Sequence, residues 1–157
     1  MSPTSWARRR TAVVASLATA LLAGTAATAH ADSPEGLIIN HGTGRCLATD
    51  SRDAFAATCE ENNLYQQWTV VNNDDGTVWI RMARYPYQCL TSYIQGGVSV
   101  GGCEHETTAP NWVMRDGGKF SNLGGDQQCL TVQGGDLITA ACASGYNKYQ
   151  DWILPVG

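Results

Sequence analysis

CLATDSRDAFAATCEENNLYQQW, residues 46–68, decides the fold because it comes back twice. Its landmarks are Cys46-Leu47, Cys59 and Gln66-Gln67-Trp68. They return as Cys89-Leu90, Cys103 and Asn111-Trp112, then as Cys129-Leu130, Cys142 and Gln150-Asp151-Trp152. The first cysteines are spaced by 43 and 40 residues, the second by 44 and 39, and the tryptophans by 44 and 40. Inside each unit, cysteine to cysteine is 13, 14 and 13 residues, and the tryptophan follows 9, 9 and 10 residues later. A period kept by three landmarks means one supersecondary unit used three times, each too small to bury its own apolar face. The units run over about residues 36–75, 76–117 and 118–157.

Outward from the repeat, residues 1–31 read as an export signal. Arg8-Arg9-Arg10 is a basic start, Thr11 to Ala27 an Ala- and Leu-rich run, and Ala29-His30-Ala31 a small-x-small cleavage site before Asp32. A membrane anchor is the competing reading, but the run is short for a span and dominated by Ala and Thr. Cleavage leaves residues 32–157 as one domain. It carries seven basic and fourteen acidic residues, a net charge of −7. That excess of carboxylates argues against a phosphate-tracking nucleic-acid binder and against an anionic-membrane binder.

All six cysteines fall in the repeats. An even count in an exported chain reads as a disulfide framework. Equivalent units are most simply bridged within themselves: Cys46–Cys59, Cys89–Cys103 and Cys129–Cys142. Each bridge would close a short loop and contribute roughly 2–3 kcal/mol on the chain-entropy account. No CxxC occurs, and His41 and His105 are the only histidines past the leader, so no metal site is expected and no cofactor is implied.

No amphipathic helix of useful length is evident. Short β-branched and aromatic runs alternate with Gly, Asn and Asp. They predict strands over 36–41, 45–49, 55–59 and 67–72, then 77–83, 88–93, 98–103 and 111–115, then 119–123, 128–132, 137–142 and 151–156. Asn73-Asp74-Asp75-Gly76 and Asp116-Gly117-Gly118 are the turns between units. Four strands per unit in three like units suggest an all-β closed barrel with a hairpin cap and pseudo-threefold symmetry. Leu47, Leu90 and Leu130 would share its core with Trp68, Trp112 and Trp152. Val70, Met114 and Leu154 should lie on the same face as the tryptophans.

These residues resemble the ricin B-type lectin family, the beta-trefoil with a Gln-x-Trp signature in each repeat. Units one and three match the signature, whereas unit two reads Pro110-Asn111-Trp112. The resemblance covers the whole cysteine-bearing part and implies within-repeat disulfides and carbohydrate binding. In that family a sugar-binding repeat has an Asp after Cys-Leu, an aromatic two residues before the second cysteine, and an Asn before Gln-x-Trp. Here the first position holds Ala48, Thr91 and Thr131, the second Ala57, Gly101 and Ala140, and the third Tyr65, Ala109 and Tyr149. A neutral side chain does not replace a charge-assisted acceptor, and without a ring the contact area is small.

Two shifted sets carry the needed chemistry of carboxylate, amide and ring. Unit one offers Asp50 and Asp53, then Asn62, Asn63, Tyr65 and Gln66. Unit three offers Asp136, then Tyr146, Asn147, Tyr149 and Gln150. The competing reading makes the Asp and Asn residues turn formers and the two glutamines backbone partners beside a buried Trp. Tyr65 and Tyr149 suit core edge and contact surface equally.

No G-x-S-x-G, HExxH or P-loop is present, so no enzyme is expected. Glu104-His105-Glu106 does not converge on one point, because successive strand residues face opposite ways. The expectation is a secreted, monomeric, non-catalytic module for extracellular or cell-wall glycan, with weak or atypical binding. The alternative is a protein-binding trefoil, such as a protease inhibitor or an interaction scaffold for a secreted protein.

Overall fold

A computed structural model describes residues 31–93, 95–104, 109–123 and 127–156. The basic start and apolar run of the leader lie outside the described residues, as do His105 and Glu106. No helix among the described residues is long and apolar enough to cross a membrane.

The described chain forms twelve strands: β1 (Ile39–Asn40), β2 (Cys46–Thr49), β3 (Ala54–Ala57), β4 (Trp68–Asn72), β5 (Val78–Met82), β6 (Gln88–Ser92), β7 (Val98–Gly102), β8 (Trp112–Arg115), β9 (Lys119–Asn122), β10 (Cys129–Gln133), β11 (Asp136–Ala140) and β12 (Trp152–Ile153). One 3-10 turn, Asp116–Gly118, joins β8 to β9. The outer strands are shorter than the sequence predicts. Gly36 pairs with Trp68 only as an isolated bridge, and Pro155, which lacks an N–H, follows β12 closely.

The barrel wall is built from pairs joining the end of one unit to the start of the next: β4 with β5, β8 with β9, and β12 with β1. Its alternation is plain in β5, where Val78, Ile80 and Met82 are buried between Trp79 and Arg81. The cap consists of the hairpins β2–β3, β6–β7 and β10–β11. They link to one another by threefold-related contacts. Phe55 pairs with Asp136, Ser99 with Asp53, and Ile138 with Gly97. The amides of Ala56, Val100 and Thr139 donate to the carbonyls of Gly135, Arg52 and Gly96 at 2.9, 2.8 and 2.9 Å.

The core is threefold as well. Leu47, Leu90 and Leu130 form one layer, and Ile38, Ile80 and Phe120 another, all fully buried. Trp68, Trp112 and Trp152 complete it. Each indole N–H donates to the carbonyl of the leucine in its own unit: to Leu47 and Leu90 at 2.9 Å, and to Leu130 at 3.2 Å. A buried donor without a partner costs about 1–3 kcal/mol, so these bonds fix how each last strand docks on its hairpin. Disulfides join Cys46 to Cys59, Cys89 to Cys103 and Cys129 to Cys142.

One core expectation fails. Met114 is 41% exposed, whereas Val70 is buried and Leu154 packs on the core edge. Val70 shares the interior with its cross-strand partner Ile80, but the partner of Met114 is Phe120, whose larger ring takes the space.

The middle residue of the signature has a role that its variability in sequence hides. Asn111 accepts the Trp79 indole N–H at 2.7 Å. At the equivalent place in unit three, Asp151 pairs with Lys119 at 2.6 Å, and both side chains are buried. Gly118 next to this pair has φ +75°, and a Cβ there would collide with the Trp152 carbonyl. No other residue fits.

Truncating Trp112 to Ala is expected to cost about 3–5 kcal/mol in urea unfolding. Lys119→Met is expected to cost about 3–5 kcal/mol because it strands a buried carboxylate. The double change Lys119→Met with Asp151→Leu should recover most of that loss. Equal midpoints for the single and double variants would contradict the assignment.

Candidate functional site

Each unit places its last loop beside its cap hairpin by one equivalent bond. Thr49, Ser92 and Val132 donate backbone N–H groups to the carbonyls of Tyr65, Ala109 and Tyr149 at 3.1, 3.0 and 3.0 Å. The loop itself is held by the signature glutamine. Gln66 is buried, accepts from the Glu60 amide at 2.8 Å and donates to the Thr58 carbonyl at 2.9 Å. Gln150 repeats this with the Ala143 amide and the Ala141 carbonyl, both at 2.9 Å, and adds Thr131 Oγ1 at 3.1 Å. Both side chains are spent on backbone groups. In unit two the same place is filled by buried Pro110.

Asn63 and Asn147 are turn formers. Asn63 Oδ1 accepts the Tyr65 amide at 3.1 Å, and Asn147 Oδ1 the Tyr149 amide at 3.0 Å. Asn63 Nδ2 also donates to Glu60 at 3.1 Å.

The acidic residues of the two sets differ. Asp50 lies at the tip of β2–β3, where one carboxylate oxygen accepts the amides of Arg52 at 2.9 Å and Asp53 at 2.8 Å. Those bonds, the Asp53 one first, hold its carboxyl below the usual carboxylate range. The recess beside it, about 330 Å³, is lined by Asp50, Ser51, Arg52 and Asp53. It reaches neither Asn63 nor Tyr65. Tyr65 packs on the core edge, near Tyr85 and with Arg84 5.5 Å from its ring centre. Unit one therefore does not bring its carboxylate and ring together.

Unit three has its ring in a recess. A recess of about 360 Å³ runs between β10–β11 and the last loop, lined by Thr131, Gln133, Ile138, Ala140 and Tyr149 among others. Tyr149 is 42% exposed, with the Lys148 ammonium 4.9 Å from its ring centre. Asp136 is exposed and shares the outward face of β11 with Ile138 and Ala140. Its carboxylate has no hydrogen-bond partner among the described residues. Tyr146 stands apart, its hydroxyl bonded to His41 Nδ1 at 2.9 Å. Ile138 was missed in the sequence, although an apolar residue on the outward face of an alternating strand is a usable signal.

Unit two has no ring at these positions. Its Thr91 is buried and bonds to its cross-strand partner Ser99 at 3.0 Å, and its methyl lies 3.3 Å from where a Cβ on Gly101 would be.

Comparison with known proteins agrees with this architecture. The family profile described as ricin-type beta-trefoil lectin domain matches residues 34–152. No curated protein sequence matches the chain. Among solved structures, the chain is similar to a non-toxic homologue of type II RIPs from Momordica charantia in complex with alpha-methyl-D-galactoside. The TM-score is 0.62 at 17% identity, covering 78% of this chain and 48% of that one. It is also similar to the agglutinin from Abrus precatorius, at TM-score 0.62 and 22% identity, covering 79% of this chain and 47% of that one. The designed threefold-symmetric protein ThreeFoil matches at TM-score 0.62 and 16% identity, covering 77% of this chain and 97% of that one. The chain thus spans about half the length of the two plant proteins it matches.

Asp50 gives a pH test. Its carboxyl is depressed in the folded state, so its stabilising contribution is present above the ordinary value of 3.8 and is lost as pH falls through the folded value. Asp50→Asn should therefore be less stable than the native protein at pH 6. The two unfolding curves should converge in strong acid; a constant gap down to the acid limit would contradict the turn assignment.

Proposed function

The chain belongs to the ricin-type beta-trefoil lectin domain family, and from that premise we propose that it is a secreted, non-catalytic carbohydrate-binding module working through unit three. The observation that carries this reading is the unit-three recess, where Thr131, Ala140 and the partly exposed ring of Tyr149 line one hollow, with the exposed Asp136 on the outward face of the same strand as Ile138 and Ala140. Tyr149 offers a ring for the apolar face of a pyranose. Asp136, exposed on the outward face of β11, offers oxygens for sugar hydroxyls. Its three disulfides suit an oxidising, extracellular setting. Binding is weak for each site, because one ring and one carboxylate supply few simultaneous contacts. Unit one is silent: drawing Asp50 toward a sugar would orphan two backbone amides.

A second reading, a protein-binding trefoil acting as a protease inhibitor or interaction scaffold, is favoured by tyrosines exposed away from the recess. Tyr93 is 56% and Tyr146 69% exposed, and tyrosine is enriched at protein interfaces.

Glycan-array screening followed by calorimetry separates the two. Tyr149→Ala and Asp136→Ala should each weaken glycan binding by about tenfold or more, while Asp50→Ala changes it by less than about twofold. A chain that binds no glycan yet captures a secreted protein or inhibits a protease would fit the second reading instead.

A further inference from the structure

A larger recess lies away from all three repeat positions just described. It measures about 410 Å³ and is lined by Trp79, Arg81, Pro86, Tyr87, Gly102, Cys103 and Glu104. These residues come from β5, from the loop before β6, and from the end of β7 with the turn that follows it. Trp79 and Arg81 are the outward-facing residues of β5. The Tyr87 carbonyl accepts the Cys103 amide at 3.0 Å, which ties the loop to the bridged end of β7.

We propose that this recess is a second glycan subsite, which takes a neutral pyranose stacked between Trp79 and Tyr87 with its hydroxyls on Arg81 and Glu104. Three observations carry the assignment. First, two aromatic rings share one recess. Tyr87 is 83% exposed, and Trp79 is half-buried, whereas Trp68, Trp112 and Trp152 are 0%, 0% and 3% exposed. A ring left in water beside a polar pair is suited to the C–H face of a sugar. Second, the Trp79 indole N–H is already donated to Asn111 Oδ1 at 2.7 Å. That bond pins the ring and leaves its face, not its edge, for a ligand. A proline-rich peptide in such a groove would lack that indole donor for its carbonyls, which makes it a poorer fit. Third, Arg81 and Glu104 both line the recess, yet the ion pair among the described residues is Lys119 with Asp151. A guanidinium and a carboxylate that do not neutralise each other present donors and acceptors together, the complement of vicinal hydroxyls. An acidic sugar would meet Glu104 and a domain of net charge −7.

The site is independent of the unit-three recess, and the test keeps them apart. The probes are the methyl glycosides of glucose, galactose, mannose and N-acetylglucosamine with their disaccharides, beside galacturonate and a polyproline peptide. The readout is the indole N–H resonance of Trp79 in ¹⁵N-labelled protein, assigned with Trp79→Phe. At least one neutral glycan should shift it saturably below about 10 mM. Tyr87→Ala, which spares the core because the ring is exposed, should weaken that response by about tenfold or more, and Tyr149→Ala should leave it within about twofold. Glu104→Gln should weaken it severalfold with the fold intact by circular dichroism. The proposal is overturned if no neutral glycan moves the resonance. It also fails if only the peptide or galacturonate does, or if the response follows Tyr149 and ignores Tyr87. A Trp79 response without any Tyr149-dependent binding would sustain this subsite and sink the unit-three site.

Discussion

The bond from each buried indole to a leucine carbonyl is the constraint on which the structure depends. Tryptophan brings a large apolar surface and one donor that must be matched once water is excluded. Leu47, Leu90 and Leu130 supply the acceptor 21 or 22 residues before the ring. The leucine side chain fills the core while its carbonyl receives the N–H, so a single residue serves packing and polarity together. The adjacent cysteine then ties the same strand to the far end of its hairpin. Three such units share one interior, and none could close it alone.

Symmetry holds where it is needed to close the barrel and relaxes elsewhere. The cap bonds are equivalent in all three units. The middle signature position is not: Asn111 holds an indole, and Asp151 holds an ammonium. Both solve one problem, the polar partner of the first strand's outward residue, with different chemistry. The difference has a consequence at the surface. In unit three the pair is sealed from solvent, whereas in unit two a ring face stays open and helps to line a recess. Loss of the glutamine clamp at Pro110 is a second departure confined to unit two.

Much of this fold was legible because a period reveals which positions are equivalent. The twelve predicted strands correspond to the twelve observed, with ends trimmed most at β1 and β12. A period does not reveal which atoms meet. It placed Leu47 and Trp68 in one core without indicating the bond between them, and it set Met114 beside Val70 without weighing the volume of Phe120. The site was less legible for a chemical reason. Asp50 and Asn63 have the composition of a sugar site and also that of a turn, since a short polar side chain can cap its own backbone or wait for a ligand. Only the donors around it decide: the amides of Arg52 and Asp53 already hold Asp50. Trp79, Tyr87 and Glu104 are brought together from separate elements, and no local pattern links them.

That competition for acceptors also orders the surface by function. A carboxylate already holding two amides offers a sugar little, because each new bond is made at the expense of an existing one. Asp136 carries no such debt among the described residues, and Tyr149 of the same unit is held by its backbone while its ring stays partly in water. The same logic applies to the unit-two recess, where the indole N–H is committed but the ring face is not. In both places the bonds that hold the backbone and the indole are made within the fold, so contacts to a ligand would come from groups that folding did not use. A ring pinned as Trp79 is would lose little freedom on binding, an advantage in a shallow recess where few contacts must offset that loss.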